Sequence, residues 1–225
     1  MHMASLKQDQ LYQKDNFCNS SKFSSIFKDN TNIVVIKREL GFELLNSVDN
    51  ILDNPKFRIS KVVYPSDVNQ FLIKNFNRDL SLKSLFNDIS RLVNAFCNLF
   101  DLKSAWLRLE SIDHQMCPRF HVDYVKCRMV TTYKGPATEW LPNNLVDRSK
   151  LGPGNKGLLD EESGLFLKKS DVKQLDVGDI ALLKGGAWKG NEDHGLVHRS
   201  PYQLGIYKRL YMTIDFPDIF VDVNH

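Results

Sequence analysis

The sequence has no long apolar run, little cysteine and almost no charge imbalance, and each shortage excludes a class of protein. No uncharged apolar segment approaches the roughly 18 residues that a bilayer-spanning helix needs. A transmembrane helix, and with it a membrane partner, is therefore not expected. The four cysteines among 225 residues, Cys18, Cys97, Cys117 and Cys127, are too few and too scattered for a disulfide framework. Reduced thiols in a cytoplasmic protein are the simpler reading. With 30 Lys+Arg against 27 Asp+Glu, the net charge is +3 and the pI about 8.6. That balance falls short of a nucleic-acid footprint. Residues 1–30 are polar and carry no apolar secretory core. The opening Met1-His2-Met3-Ala4-Ser5 resembles a cloning scar, so His2 enters no metal argument. No internal repeat or low-complexity tract is present, which excludes a solenoid.

What is there is globular. Hydrophobic residues make up 42% and charged residues 25% of the chain, ordinary values for a packed core. Residues 1–20 are expected to be a flexible N-terminus, and 21–225 one domain. Ile33 to Ile36 and Phe57 to Tyr64 have strand composition. Between them, Phe42, Leu44, Leu45, Val48, Ile51 and Leu52 keep a helical rhythm. The clearest helix is expected from Leu82 to Phe100, where Leu85, Phe86, Ile89, Leu92, Val93 and Phe96 form one apolar stripe. Asp79 or Ser81 can cap its start. Further strands are expected at Ala105 to Leu109, Cys127 to Tyr133, Ile180 to Leu183 and Leu210 to Phe216, separated by turn-rich stretches. Helices first and a β-rich core after them read as an α+β protein, with helices buttressing one sheet from outside. The loop Leu151 to Gly157 is glycine-rich, but Leu158 follows it instead of the Lys-Ser/Thr of a phosphate loop.

The chemistry concentrates in Arg119-Phe-His-Val-Asp123. Alternate side chains of a strand share a face, so His121 and Asp123 can enter one cavity. An imidazole and a carboxylate are two legs of a 2-His-1-carboxylate triad, which holds ferrous iron from one side and leaves other positions open. His198 is the candidate third leg. Arg209, eleven residues on (209 − 198), opens a strand and offers a bidentate fork for a carboxylate.

In this order, His121-x-Asp123, His198 and Arg209 resemble the signature of iron(II)- and 2-oxoglutarate-dependent oxygenases, closest to the prolyl-hydroxylase-like branch. Arg128-Met-Val-Thr-Thr-Tyr133 and Gly135-Pro-Ala-Thr-Glu-Trp140 are similar to that branch's second strand and following turn. The resemblance spans about residues 117–216. It implies a double-stranded β-helix (a cupin-like jelly roll) with N-terminal helices packed on the outer sheet. It implies iron ligation by His121, Asp123 and His198, with Arg209 on the distal carboxylate of 2-oxoglutarate. Tyr133 corresponds to a tyrosine that donates to the same carboxylate. The activity implied is hydroxylation or oxidation of an unidentified small-molecule or protein substrate. A second resemblance covers Cys117-Pro-Arg-Phe-His-Val-Asp123, Tyr133-Lys-Gly-Pro-Ala-Thr-Glu-Trp-Leu-Pro142 and Gly178-Asp-Ile-Ala-Leu-Leu-Lys-Gly185 through His198-Arg-Ser-Pro201. These words are similar to an uncharacterised bacterial family, domain of unknown function 1826. It implies an association with zinc homeostasis and leaves zinc open as the metal.

Several alternatives stay open in the residues themselves. His194 can replace His198, and Arg199 or Lys208 can take the role of Arg209. His114, Cys117 and His121, with Cys127 nearby, fit the nitrogen and sulfur preference of zinc. On that reading the protein is a zinc-binding module of zinc homeostasis without oxygenase activity. A Cys117–histidine nucleophile lacks a visible orienting group. Phe120, Tyr124 and Trp140 beside Lys126 and Arg128 read as sheet packing with a solvated basic face, so nucleic-acid binding is not expected. A substrate pocket lined by Trp140, Trp188 and Tyr124 is the expectation. The loop Lys184 to Gly190 is either a lid or a plain connection.

Overall fold

The apolar stripe and the alternating strands assemble into helices on one side of two antiparallel sheets. The structure, a computed structural model, describes residues 21–53, 57–113, 116–201 and 208–217. The segment expected to be flexible, 1–20, and His114 lie outside these residues. After a 3-10 turn at Phe23–Phe27 come β1 (Ile33–Ile36), α1 (Phe42–Leu52), β2 (Arg58–Val63), α2 (Val68–Asn75) and α3 (Lys83–Phe100). The β-rich part follows as β3 (Ala105–Ile112), β4 (Cys127–Lys134), β5 (Glu139–Leu141), β6 (Lys173–Gln174), β7 (Ile180–Lys184), β8 (Val197–Arg199) and β9 (Arg209–Asp215). No helix among the described residues is long and apolar enough to cross a membrane.

The six-stranded sheet runs β1-β7-β4-β9-β3-β2 and the three-stranded sheet β6-β5-β8, all neighbours antiparallel. The large sheet buries both faces, and its period-2 alternation sorts them. On the outer face Leu107, Leu109, Met129, Ile180, Leu182, Leu210, Met212 and Ile214 meet Leu44, Val48 and Ile51 of α1. The stripe of α3, from Leu85 and Phe86 through Ile89, Leu92, Val93 and Phe96, closes the same layer. Burying such side chains contributes about 1.5–3 kcal/mol each. The expected cap falls one turn earlier: the Asp79 side chain accepts from Ser81 N at 2.9 Å and caps the 3-10 turn Leu80–Leu82, whereas α3 starts after Leu82 with no side-chain cap. On the inner face Val130, Ala181 and Leu183 pack with Ala137, Leu175 and Leu196 from the side of the small sheet.

A buried polar clamp ties the helical layer to the sheet. Asp88 of α3 accepts from Arg38 at 2.6 and 3.0 Å and from the Tyr133 hydroxyl at 2.8 Å. Burial, then the charge of Asp88, pushes the Tyr133 phenol well above its ordinary pKa. Tyr133 therefore stays a neutral donor. Its side chain shares the outer face with Cys127 and Met129, on the side of β4 away from the cavity.

Candidate metal centre

The ligand-bearing segments meet because the small sheet has an additional partner. His121 and His198 pair as an isolated antiparallel bridge, each N–H donating to the other's carbonyl at 3.0 Å. This brings His121 and Asp123 beside β8 and puts His198 opposite them. His121, Asp123 and His198 each offer a ligating atom, all within 4.8 Å of one another. His121 Nε2 lies 3.4 Å from Asp123 Oδ1, and His198 Nε2 lies 3.2 Å from Asp123 Oδ2. Neighbouring donors on a metal bonded at about 2.1 Å sit roughly 3 Å apart, so the separations fit one ion.

The tautomers fit as well. His121 Nδ1 lies 2.9 Å from the Arg119 carbonyl, and His198 Nδ1 lies 3.1 Å from the Leu196 carbonyl. A carbonyl only accepts, so each Nδ1 carries a proton; a neutral ring then presents an Nε2 lone pair to a metal, the arrangement that supports ligating histidines, and a protonated ring presents an Nε2–H to Asp123. Burial works against the Asp123 carboxylate, but hydrogen bonds from both histidines and the charge of Arg128 outweigh it. Its pKa is held far below the carboxylate range. For His121 burial lowers the pKa, yet the bonds to Asp123 and to the Arg119 carbonyl prevail and the net shift is upward.

The segment after the triad is braced from behind. Gly185 N, Gly186 N and Ala187 N donate to the carbonyls of Lys126, Asp123 and Val125 at 3.0, 2.9 and 3.1 Å. A Cβ at Gly185 would meet the Val125 carbonyl oxygen at 2.1 Å, so only glycine permits this approach. The loop Lys184 to Gly190 is thus a scaffold for the Asp123 segment, neither lid nor plain connection. On the other side, Phe120 N donates to Asp160 at 2.8 Å, and Arg119 Nε lies 3.7 Å from the same carboxylate.

A cavity of about 250 Å³ opens beside the triad, lined by Arg108, Glu110, Cys117, Arg128, Thr138 and Tyr211 among others. Arg209 is 2% exposed behind it, with Nη2 3.3 Å from Thr132 Oγ1 and 3.4 Å from Thr138 Oγ1. Its Nε has no hydrogen-bond partner, and it contacts no carboxylate among the described residues. An uncompensated buried guanidinium is costly. A ligand carboxylate would satisfy it. Gly135, at φ +86°, makes room here: a Cβ would lie 3.1 Å from Arg209 Cα and Cβ.

The geometry separates the alternatives. Arg199 is occupied by Glu139 at 2.7 Å and Glu161 at 2.9 Å, and Lys208 donates to the Leu52 carbonyl on the helical side. His194 is exposed and outside the cluster. Tyr133 is corrected from carboxylate partner to helix clamp, since its hydroxyl faces Asp88. Cys127 is buried in the outer core. Cys117 lines the cavity but is not among the clustered ligands. Burial and then Asp123 push its thiol pKa up, away from the thiolate that zinc or catalysis requires. The expected aromatic pocket is also absent from the described residues. Trp140 packs between the sheets, Trp188 stacks near Phe27 and Phe100, and Tyr124 is 86% exposed.

Sequence reasoning missed Arg108, Arg128, Asp160 and Asp215. Arg128 bonds the Asp123 carboxylate and also donates to Asp215 Oδ1 at 2.7 Å; Arg108 donates to Asp215 Oδ2 at 2.7 Å. For Arg108, Arg128 and Asp215 the available signal was a charge at an inward position of an otherwise apolar strand; Asp160 lies outside the strands.

Several solved structures are similar at low identity. The dioxygenase for auxin oxidation 1 from Arabidopsis thaliana, as a 2-oxoglutarate complex, is 10% identical over 88% of this chain and 91% of that one, with a TM-score of 0.49. HygX from Streptomyces hygroscopicus with iron bound is 12% identical over 86% of this chain and 84% of its own, with a TM-score of 0.48. A Pseudomonas putida prolyl-4-hydroxylase is 9% identical over 87% and 96%, with a TM-score of 0.44. No curated protein matches the chain. The family model described as "Protein of unknown function (DUF1826)" matches residues 18–215, and the chain belongs to that family.

Proposed function

We propose that the protein is an iron(II)- and 2-oxoglutarate-dependent oxygenase on a double-stranded β-helix, with His121, Asp123 and His198 as ligands and Arg209 as partner of the co-substrate's distal carboxylate. One observation carries the reading: a His-Asp-His cluster opens on a cavity, and behind the cavity-lining Thr138 and Tyr211 lies a buried guanidinium with no carboxylate partner among the described residues. The β-helix is supported by the path of the chain, which passes between the six-stranded and three-stranded sheets from β4 to β9.

When bound, iron and 2-oxoglutarate supply the oxidising chemistry. The chain supplies orientation. His121 and His198 hold their Nε2 lone pairs toward the cavity through their Nδ1–H bonds. Asp123 remains ionised across the ordinary pH range because the Arg128 guanidinium beside it favours the charged form. Arg209 offers its unsatisfied Nε–H to a carboxylate, with Thr132 and Thr138 alongside. Val130, Ala181, Leu183 and Leu196 close the interior between the sheets and keep water from its depth.

Anaerobic titration of metal-free protein with ferrous iron and then 2-oxoglutarate tests this reading. The expected result is the visible charge-transfer band of a chelated 2-oxo acid, weakened by Arg209→Ala and lost in Asp123→Ala. No band together with tight zinc binding would overturn it and move the function to zinc handling. First-row affinity order does not by itself favour iron over zinc.

A further inference from the structure

The charges around the triad cancel before any cation arrives. Asp123 is bonded by Arg128, and Asp215, 0% exposed, is bonded by both Arg128 and Arg108. Two carboxylates and two guanidiniums alternate in one ladder whose sum is zero. The other cavity-lining charges also have partners: Glu110 has Arg58 at 2.9 Å, and Arg199 has Glu139 at 2.7 Å, Glu161 at 2.9 Å and Asp160 at 3.4 Å, the last shared with Arg119, an excess of one negative charge that Arg209 balances. Arg209, over the Tyr211 ring at 4.3 Å and bonded only to threonine hydroxyls, adds a positive charge without a carboxylate partner at the back. A divalent cation on His121, Asp123 and His198 would therefore enter a site with no net negative charge, beside a guanidinium that already holds its carboxylate ligand. A dianion next to Arg209 reverses the balance.

We infer that Arg128 makes metal and anion binding interdependent: the triad retains a divalent cation firmly only with a dianionic co-substrate in the cavity. The inference rests on the oxygenase reading for the identity of that dianion. Arg128 acts here as a positioning residue, through Asp123. Reciprocity requires the dianion to bind more tightly to the metal-loaded protein by the same factor.

The test is the Mn(II) affinity of the full chain, read from the EPR signal of free Mn(II), with and without 2-oxoglutarate or oxalate. In the wild type, 2-oxoglutarate tightens Mn(II) by at least about tenfold, within the usual range of coupling between sites. A neighbouring charge at this range shifts proton affinity by about tenfold or more. Arg128→Gln is accordingly expected to tighten Mn(II) alone by about tenfold and to shrink the coupling. Asp215→Asn, which touches no ligand of the triad, leaves the ladder with one net positive charge, Arg128 still on Asp123, and weakens Mn(II) alone. The wild-type coupling and the Asp215→Asn comparison do not require an Arg128 variant to fold. Equal Mn(II) affinity with and without 2-oxoglutarate, in a protein that still gives the iron charge-transfer band, overturns the inference and spares the oxygenase reading. Weaker Mn(II) binding in folded Arg128→Gln also overturns it, because the arginine would then only be organising the ligand. Tightening by oxalate but not by 2-oxoglutarate supports the ladder and overturns the co-substrate assignment.

Discussion

The two faces of the six-stranded sheet share every backbone hydrogen bond and almost nothing else. On the outer face, Leu107, Met129, Leu182, Met212 and Ile214 are each 0% exposed and meet only side chains of the helical layer and its neighbours. On the inner face of the same strands stand Arg108, Arg128, Thr132, Arg209, Tyr211, Thr213 and Asp215. The outer residues stabilise the protein by removing apolar surface from water. The inner ones carry a desolvation cost that ion pairs offset, except at Arg209, which has only the Tyr211 ring and two threonine hydroxyls. Stability and chemistry are thus assigned to alternate residues of one set of strands.

Substitutions can break that separation or sharpen it. The largest effect is expected from Phe96→Ala in α3, which opens a cavity under the outer face and costs about 3–5 kcal/mol. Denaturant unfolding should show this loss while the folded variant binds metal as the wild type does; altered metal affinity would show the faces to be coupled. Asp123→Ala does the reverse. Removing an outer-sphere partner typically costs 10- to 100-fold in metal affinity, so loss of the ligand itself should cost at least about 100-fold, with little change in the metal-free melting curve. Arg209→Ala should weaken 2-oxoglutarate by about 10- to 150-fold, the range for a hydrogen bond to a charged group. Its metal-free melting temperature should hold or rise, because an uncompensated buried charge is gone; a clear fall would assign Arg209 to the structure. Tyr133→Phe should cost about 1–2 kcal/mol through Asp88 and leave 2-oxoglutarate affinity unchanged, which isothermal titration can check. The smallest effect belongs to Cys117→Ser, within about 0.5 kcal/mol in stability and without a change in metal affinity; a lost metal would revive the thiolate site.

Legibility in the sequence followed the same division. The stripe of α3 and the strands at β1, β4, β7 and β9 are long and apolar enough to show their period, and their bounds fall within a residue or two of expectation. The small sheet does not show itself: β5, β6 and β8 have three, two and three residues, too few for an alternation to register. α2, with Val68 and Leu72 as its buried residues, has too narrow a stripe to stand out. The grouping of His121, Asp123 and His198, with Arg209 buried behind their cavity, is readable from order and spacing. Tyr133 was misplaced because spacing ignores parity. Thr132, one residue earlier, is on the cavity side, and the register shift between Thr132 and Lys134 hides the switch. Arg128 and Asp215 went unread because a charge in a strand signals solvent until its partner is known.

The mutual hydrogen bonds of His121 and His198 join residues 77 apart in sequence (198 − 121). Closing a loop of that length costs about 4 kcal/mol of chain entropy, beyond a constant term. The core of α3 is local by comparison and can form early, whereas the ligand set exists only after β4 to β7 have been laid down between its members. A growing chain that has not reached β8 holds an imidazole and a carboxylate but no triad. A metal held by all three side chains would therefore report the completion of this long-range pairing.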